Sequence, residues 1–464
     1  MARPVAAPSP VLPGSFRDPS GFVFRREGTL CRQVNVCYRE AYEHLMGSGL
    51  YRSLTAAGLL IPHEEVPMEP PRPGIALMVI RPDMAPFVSY PYEWCFSELK
   101  DAALALLRIQ KMSLDFGMSL KDCSAYNVQF VAGRPVLIDT LSFEKYREGQ
   151  PWVAYRQFCQ HFLAPLALMS HRDVRLGQLL RVYIDGVPLD LASSLLPFRT
   201  RLTFSLLSHI HLHARSQKHF ARATGEVRGF NLGRVSFRGL IDSLESATNR
   251  LEWRPDGTQW ADYYKETSYS PEAFEHKRHV VAAFIERTQP ASLWDLGANT
   301  GEFSRLAGDR GIPTISFDLD PAAVEKNYLQ CQKGNGGNVL PLVLDLSNPS
   351  PAIGWENEER MSLVERGPAD AVMALALAHH LAIANNVPLD RVARFLSRIC
   401  RWLIIEFVPK SDPQVQRMLA TREDIFSDYD QAGFESGFRE YFVIEDWARI
   451  SGSDRVIYLM RGSR

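Results

Sequence analysis

A glycine-containing loop in the C-terminal half has the residue types of a ligand site. It reads LWDLGANTG over residues 293–301 and lies between a short apolar run and a helix-forming run. Gly297 and Gly301 allow the backbone to turn tightly and to approach a ligand closely. The N–H groups at the start of the following helix would then face that ligand. The loop therefore predicts a binding site at the end of a strand.

Acidic residues follow the next two apolar runs. Asp318 ends the run 314–318, and its distance along the chain from Gly297 is that expected for a carboxylate that accepts both ribose hydroxyls of a nucleoside. A third run, 339–344, leads into Asp345. A carboxylate there is placed to accept from an adenine amino group. The loop and the ribose acid by themselves fit either NAD or S-adenosylmethionine.

Three details favour S-adenosylmethionine. The dinucleotide fingerprint GxGxxG requires a glycine where this chain has Asn299. Asp295, inside the loop, would repel a pyrophosphate but suits a cofactor that carries an ammonium and a sulfonium group. Asp345 supplies a third acid on the third successive strand. The sequence therefore predicts S-adenosyl-L-methionine as the cofactor.

The segments DLGANTG, FDLDP and VLDL resemble motifs I, II and III of the class I S-adenosylmethionine-dependent methyltransferases. This resemblance implies that four loop residues surround the methionine part of the cofactor: Asp295, Gly297, Asn299 and Gly301. It implies that Asp318 holds the ribose and that Asp345 with Leu346 holds the adenine. Asn299 stands where the middle glycine is usual.

Histidines follow the fourth apolar run, 371–377. His379 and His380 would lie at the reacting face, because ligands of open α/β sheets bind beyond the carboxyl ends of the strands. Either imidazole could act as a general base or hydrogen-bond the acceptor, and we favour His380; the alternative is that one of them only packs. Glu406, after the fifth run, is a further candidate, unless it pairs with Lys410 for structural reasons.

Two other groups of residues could do chemistry, but their sequence patterns are less specific for a function. Lys277 and the pair Tyr263 and Tyr264 precede the glycine loop and would either cover the cofactor or pack. His209, His211 and His213 have no carboxylate or cysteine nearby, so no metal site is predicted.

The N-terminal half contains Asp122, Asn127 and Asp139, the last after a short hairpin. These residues resemble the catalytic and metal-binding segments of kinase-like small-molecule phosphotransferases. The resemblance implies that Asp122 orients a hydroxyl nucleophile, while Asn127 and Asp139 hold Mg²⁺. Residues 20–60 lack a convincing glycine-rich loop and an ATP-pairing lysine. We therefore predict a kinase-like fold that serves substrate binding or scaffolding.

The elements that must position these residues fall into two domains, as expected for 464 residues. The predicted fold class is α/β, with a C-terminal seven-stranded Rossmann-like methyltransferase sheet that carries helices on both faces, after an α+β kinase-like domain. The predicted ranges are a disordered leader over 1–18, the kinase-like domain over 19–225, a linker over 226–259, and the methyltransferase domain over 260–464. Apolar spacing predicts helices over 98–116 and 272–288 and a hairpin from 127 to 138.

Composition bounds the partners. A formal net charge of −1 gives no footprint for nucleic acid or an anionic membrane. The resemblance to methyltransferases, rather than the charge, implies a small-molecule or saccharide acceptor. The apolar run 371–378 is too short to span a bilayer. Seven scattered cysteines suggest neither disulfides nor zinc, which favours a cytoplasmic location.

The segments SYPYEW, LKDCSAYN, HHLAI and EFVPK, from both halves, resemble the nodulation-protein-type methyltransferases of rhizobia. The predicted function is therefore methyl transfer from S-adenosylmethionine. Two alternatives remain at this point. One is a small-molecule phosphotransferase with an S-adenosylmethionine-binding regulatory domain, and the other is a non-catalytic S-adenosylmethionine-binding protein.

Overall fold

A computed structural model of the chain describes residues 11–214, 233–255, 270–334, 337–420 and 422–463. Contacts divide the chain into two compact units. The first unit comprises Met1–Tyr92, Glu98–Trp253 and Ala352–Arg360, and the second comprises Glu93–Ser97, Arg254–Pro351 and Met361–Arg464. Each unit therefore includes a short segment from the other half of the sequence, which the predicted linear boundaries did not foresee.

The first unit opens with an antiparallel sheet of four strands in the order β1-β2-β4-β3. The strands are β1 Gly21–Arg26, β2 Thr29–Asn35, β3 His63–Val66 and β4 Ala76–Pro82. Helices Arg39–Gly47 and Leu50–Ala56 lie between β2 and β3. An apolar, β-type residue pattern is evident in β1 and β4. It does not extend to β2, which buries the polar Gln33, or to β3, an edge strand of mainly polar residues.

Helix Phe96–Asp115 confirms the helix predicted over 98–116. Two small antiparallel pairs follow it: β5 Met118–Leu120 with β8 Phe143–Lys145, and β6 Val128–Val131 with β7 Arg134–Leu137. Ala132 and Gly133 connect β6 to β7 with φ angles of +49° and +73°. Two central residues with positive φ are typical of a tight hairpin turn, and the predicted hairpin is confirmed.

The rest of the first unit is helical. Its α-helices are Tyr155–Phe158, Ala164–His171, Leu179–Val182, Leu189–Leu195, Phe204–Leu206 and Arg234–Arg250, with π-helical turns at Cys159–Leu163 and Leu207–Leu212. Residues 234–250 had been predicted as linker. They form a helix because Phe237, Ile241 and Leu244 recur at helical spacing and are buried, while the opposite face is polar.

The predicted disordered leader also needs correction within the described residues. Val11 forms a β-bridge with Phe24, and Arg17 forms a salt bridge of 2.5 Å with Glu359 in the first unit. These contacts fix residues 11–18 to the unit. The remaining leader residues lie outside the described part of the chain.

The second unit contains a seven-stranded sheet in the order β11-β10-β9-β12-β13-β15-β14, as predicted in strand number. The strands are β9 Leu293–Leu296, β10 Thr314–Asp318, β11 Val339–Val343, β12 Ala369–Ala374, β13 Cys400–Phe407, β14 Phe442–Arg449 and β15 Val456–Gly462. Strands β9 to β13 pair in parallel, and β15 runs antiparallel to both of its neighbours. The helices of this unit are Pro271–Thr288, Ser304–Gly308, Pro321–Lys333, Leu389–Ser397, Pro413–Leu419 and Gln431–Arg439, with a π-helical turn at His380–Ala384.

The central strands are apolar because the sheet is covered. All four residues of β9 are buried, and Leu293 packs in one cluster with Val281, Met373 and Leu459. The strand order reverses between β9 and β12, so the chain leaves the middle of the sheet in both directions. Such a switch point opens a crevice at the carboxyl ends of the strands. Among the described residues, no helix has the length and apolar character needed to cross a membrane.

Candidate functional site

The sheet brings the acids predicted from the sequence together at the carboxyl ends of its strands. Asp295 lies in β9 and is flanked by Ser316 of β10 and Met373 of β12. Asp318 ends β10, and Asp345 follows β11 by two residues. Because β9, β10 and β11 are parallel, all three acids lie toward the carboxyl ends, beside the switch point.

Two glycines shape the loop after β9. Gly301 has a φ of +78°, and a Cβ added there would lie 2.3 Å from the Asn327 side-chain oxygen. Gly297 has a φ of +74°, and its added Cβ would contact Leu377 at 3.3 Å. Glycine is the residue that adopts such φ angles without steric cost. The loop is therefore a narrow backbone cradle of the kind that lets a ligand approach closely.

Asn299 takes the middle position with a φ of +51°, a conformation that asparagine tolerates better than most residues. Its side-chain oxygen accepts the backbone N–H of Thr300 at 2.8 Å. Its own backbone N–H donates to an oxygen of Asp318 at 2.7 Å. Asn299 thus replaces the usual glycine without opening the loop, and it connects the loop to the predicted ribose acid.

Asp318 is held by backbone groups. Its second oxygen accepts the N–H of Asp320 at 2.8 Å, and burial raises its pKa to about 6 although these backbone bonds oppose the rise. Asp320 caps the next helix through Ala322, while its Oδ2 atom is buried with no hydrogen-bond partner among the described residues. Unused acceptors therefore remain next to Asp318, as a ribose-binding edge requires.

Asp345 accepts both the N–H and the hydroxyl of Ser347, at 2.8 and 2.6 Å. The carboxylate is half-buried, as is Leu346 beside it. Both contacts with Ser347 use the same carboxylate oxygen, Oδ1. This arrangement is compatible with the adenine-binding role that the sequence predicts for Asp345 and Leu346.

Asp295 is the most buried of the three acids, with 2% of its surface exposed. Ser304 donates to it at 2.6 Å, and Ser304 also contacts Ser316. Burial raises the pKa of Asp295 to about 7, and the nearby Asp318 carboxylate adds to the rise. A cation bound beside a buried carboxylate of this kind favours its ionised form. Ser304 was not among the predicted site residues. Its sequence context shows only a polar residue at the start of a helical run.

His379 and His380 follow β12, with their ring centroids 4.3 Å apart. Burial lowers the pKa of His379 well below its usual value and that of His380 to about 4. Both imidazoles are therefore neutral near pH 7. His379 Nδ1 is buried without a hydrogen-bond partner in the described part of the chain.

Glu406 has a structural environment that the sequence did not predict. It is fully buried, and Lys277 and Arg455 contact its two oxygens at 2.6 and 3.4 Å. Arg455 also pairs with Asp412 at 2.7 Å. The suggested partner, Lys410, instead binds Asp424 at 2.8 Å.

Because both oxygens of Glu406 contact buried cations, this side chain is a poor general base. Lys277 likewise belongs to this buried ion network. Tyr263 and Tyr264, the other residues suggested to cover the cofactor, lie outside the described residues.

The first unit brings Asp122, Asn127 and Asp139 together. Burial and the nearby Asp139 carboxylate raise the pKa of Asp122, while hydrogen bonds from Gln157 and Asn127 oppose the rise. Arg32 of β2 forms a salt bridge with Asp139. Burial by itself would raise the pKa of Asp139, but Arg32 together with hydrogen bonds from Ser142 and the Leu141 backbone lowers it overall. The sequence prediction considered only a lysine as the basic residue of this region, so it did not include Arg32.

The three histidines near residue 210 contact neighbouring side chains, and the ring of His213 stacks on that of Tyr155. Tyr155 and Ser243 contact the two nitrogens of His209 at 2.8 and 2.9 Å, and Ser193 and Thr200 contact those of His211 at the same distances. Among the described residues, no group of histidine, cysteine and acidic side chains could hold a metal ion.

The sheet order, with its single antiparallel strand next to the edge, and the glycine loop agree with the class I S-adenosylmethionine-dependent methyltransferase fold that the sequence predicts. Comparison with known proteins gives the family. The chain is 38% identical over 473 residues to nodulation protein NoeA of Rhizobium meliloti (strain 1021), an alignment that covers 99% of this chain and 98% of the relative. The chain belongs to the same family as this nodulation protein. No protein-family model matches it.

Solved structures resemble parts of the chain at low identity. Magnesium protoporphyrin IX methyltransferase from Synechocystis PCC 6803, with bound SAH, is 16% identical with a TM-score of 0.31, covering 44% of this chain and 93% of its own. The bifunctional kinase-methyltransferase WbdD is 15% identical with a TM-score of 0.30, covering 43% of this chain and 41% of its own.

Proposed function

We propose that this protein transfers the methyl group of S-adenosylmethionine to a small-molecule or carbohydrate-type acceptor. The observation that carries the proposal is the set of three acids, Asp295, Asp318 and Asp345, on successive parallel strands around the glycine loop. A buried carboxylate at the loop complements a cofactor with an ammonium and a sulfonium group. The near-neutral net charge of −1 gives no footprint for a nucleic acid acceptor.

In this proposal each cofactor-binding residue has a separate role. The backbone of Gly297, Asn299 and Gly301 and the Asp295 carboxylate surround the methionine part. Asp318 accepts the ribose hydroxyls through the lone pairs that its backbone contacts leave unused. Asp345 and Leu346 contact the adenine.

The proposed general base is His380, with His379 as the second candidate. When bound, S-adenosylmethionine supplies an electrophilic methyl group on a positively charged sulfur. His380 is neutral at pH 7, so it can accept the proton that a hydroxyl or amine acceptor loses as its bond to the methyl carbon forms and the bond from that carbon to sulfur breaks, which leaves S-adenosylhomocysteine. Holding the acceptor in line with the methyl group would supply much of the acceleration. Glu406 is left out of this role because cations contact both of its oxygens.

The proposed role of the N-terminal unit is substrate binding or scaffolding. Asp139, which a phosphotransferase would use to hold Mg²⁺, is already paired with Arg32 and accepts the Ser142 hydroxyl at 2.6 Å. A metal ion would have to displace the arginine. We therefore place the phosphotransferase alternative second. A cytoplasmic location remains part of the proposal, in keeping with seven cysteines that form no disulfide among the described residues.

Titration calorimetry with S-adenosylmethionine tests the proposal. The wild type and Asp309→Ala, an exposed acid of the same unit, should bind S-adenosylmethionine saturably, while Asp318→Ala should bind far more weakly. Asp309→Ala is the matched control because it removes the same charge away from the strand ends. Equal binding by the two variants would contradict the assignment of Asp318.

Two further measurements separate the alternatives. Release of S-adenosylhomocysteine in the presence of candidate acceptors would exclude a non-catalytic binding protein. Titration with ATP and Mg²⁺ should give no binding; saturable binding that depends on Asp139 would favour the phosphotransferase alternative.

A further inference from the structure

A five-residue segment from the N-terminal half of the sequence belongs to the methyltransferase unit. The segment is Glu93–Ser97, which we call the strap, and its first four residues are each at most 3% exposed. The strap lies more than 150 residues before the rest of this unit in the chain. The contacts of the strap therefore link this unit to residues from the N-terminal half of the sequence.

The first residue of the strap makes a buried ion pair. Glu93 accepts two hydrogen bonds from Arg366, at 2.8 and 2.5 Å, and both side chains are 1% exposed. The Ser350 hydroxyl also donates to Glu93, at 2.5 Å. A bidentate carboxylate–guanidinium pair is geometrically specific. Glu93 thus fixes the strap against the loop after β11 and the residues before β12.

The last residue of the strap contacts the helix that follows Asp318. The Ser97 backbone N–H and hydroxyl donate to the two oxygens of Glu325, at 3.0 and 2.5 Å. Glu325 is 1% exposed and lies in helix Pro321–Lys333. Two donors from one residue therefore neutralise part of the cost of burying this carboxylate.

The same helix forms one wall of the glycine loop. Asn327, two residues after Glu325, donates to Ser316 at 2.8 Å and accepts from Arg305 at 3.2 Å. Arg305 in turn donates to the backbone oxygen of Thr300 inside the loop. The Asn327 side chain also occupies the space that a Cβ at Gly301 would need. A shift of this helix would therefore move the loop.

We propose that Ser97 is a positioning residue for the cofactor: by holding Glu325, it fixes the helix whose Asn327 shapes the loop around Gly301. This inference rests on the proposed function, since it takes the loop to be the S-adenosylmethionine site. Ser97 acts through Glu325 and Asn327 and need not touch the cofactor. The binding site is thus completed by a residue from the N-terminal half of the sequence.

Three variants test the role of Ser97. Ser97→Ala removes the hydroxyl, Ser97→Thr keeps it, and Ser113→Ala is the matched control. Ser113 lies in the same helix, Phe96–Asp115, and its buried hydroxyl bonds only to the Ile109 backbone oxygen among the contacts described. Calorimetry gives the dissociation constant for S-adenosylmethionine, and hydrogen exchange of the ligand-free protein reports the loop and helix Pro321–Lys333.

Ser97→Ala should weaken S-adenosylmethionine binding roughly tenfold and speed exchange in the loop and in helix Pro321–Lys333, because a hydrogen bond to a buried carboxylate is lost. Ser97→Thr should restore both, and Ser113→Ala should change neither. Faster exchange with unchanged affinity would overturn the proposal, since Ser97 would then only stabilise the fold. Unchanged exchange would also overturn it. A wild type that does not bind S-adenosylmethionine would contradict the proposed function itself and this inference with it.

Discussion

The backbone N–H of Asn299 donates a 2.7 Å hydrogen bond to the Asp318 carboxylate. Asn299 belongs to the loop after β9, and Asp318 ends the neighbouring strand β10. The bond fixes the distance between the part of the site assigned to the methionine and the part assigned to the ribose. It also uses one acceptor position of the acid, so a ribose bound there would use the positions that remain. In the proposed site, loop conformation and ribose recognition are therefore coupled.

Replacing Asn299 tests this coupling. Asn299 has a φ of +51°, which glycine adopts freely, whereas a β-branched residue does so only at a cost. Asn299→Gly should keep the S-adenosylmethionine affinity within a few-fold of the wild type. Asn299→Val should lower the free energy of unfolding by about 1–2 kcal/mol and weaken binding more strongly. Chemical denaturation and calorimetry measure the two effects; equal behaviour of the two variants would contradict the coupling.

Two glycines with the same backbone conformation allow a matched comparison. Gly301 and Gly311 have φ angles of +78° and +80°, but an added Cβ would lie 2.3 Å from Asn327 at the first position and would meet nothing within 4 Å at the second. Gly311→Ala should therefore cost only the left-handed strain, about 1–2 kcal/mol of unfolding free energy, and keep cofactor binding. Gly301→Ala should cost more and abolish binding. Calorimetry that finds Gly301→Ala binding as tightly as Gly311→Ala would show that the loop is not the site.

Affinity for S-adenosylmethionine should depend on pH below neutrality. The pKa values of Asp295 and Asp318 are raised to about 7 and about 6, mainly by burial, and a cationic cofactor favours the ionised carboxyls. Affinity should fall roughly tenfold between pH 8 and pH 6 as Asp295 takes up a proton. Asp295→Asn should bind more weakly and lose most of this dependence. A pH profile of the dissociation constant that is flat in the wild type would refute the role of Asp295.

The same two acids determine the direction in which the stability of the cofactor-free protein changes with pH. Their folded-state pKa values lie above the usual carboxyl value, so the folded state holds more protons than the unfolded state between about pH 4 and pH 7. Their contribution to stability is therefore present at low pH and is lost as the pH rises through this window. Asp295→Asn should remove the part of that loss that comes from Asp295, which denaturation of the ligand-free protein at pH 5 and pH 8 would measure.

Glu406 and His380 should respond differently to substitution. Glu406→Gln leaves Lys277 and Arg455 buried without their carboxylate, and should lower the free energy of unfolding by about 3 kcal/mol. His380→Gln should lower kcat at least 100-fold or so, since it removes the proposed base, while stability changes by less than about 1 kcal/mol. Denaturation and S-adenosylhomocysteine release distinguish the two effects. A Glu406→Gln variant of normal stability and lost kcat would return the base role to Glu406.

The local sequence predicted much of the cofactor side. Alternation of apolar runs and helical segments predicted the α/β fold of the C-terminal half and the seven strands, and spacing together with the resemblance to methyltransferase motifs gave the predicted roles of residues 293–301, Asp318 and Asp345. These features are local because each acid or glycine directly follows the strand that positions it. Turn conformation and strand pattern depend on neighbouring residues, which a single sequence contains.

The polar partners were decided only by tertiary structure. Glu406 pairs with Lys277 at a separation of 129 residues, Arg32 with Asp139 at 107, and Glu93 with Arg366 at 273. A charged residue in a sequence has many possible partners, and neither periodicity nor propensity selects among them. Folding selects the partners, because the packed core excludes particular side chains from water together and buried charges must be paired. For the same reason, only the fold showed that residues 93–97 complete the methyltransferase unit.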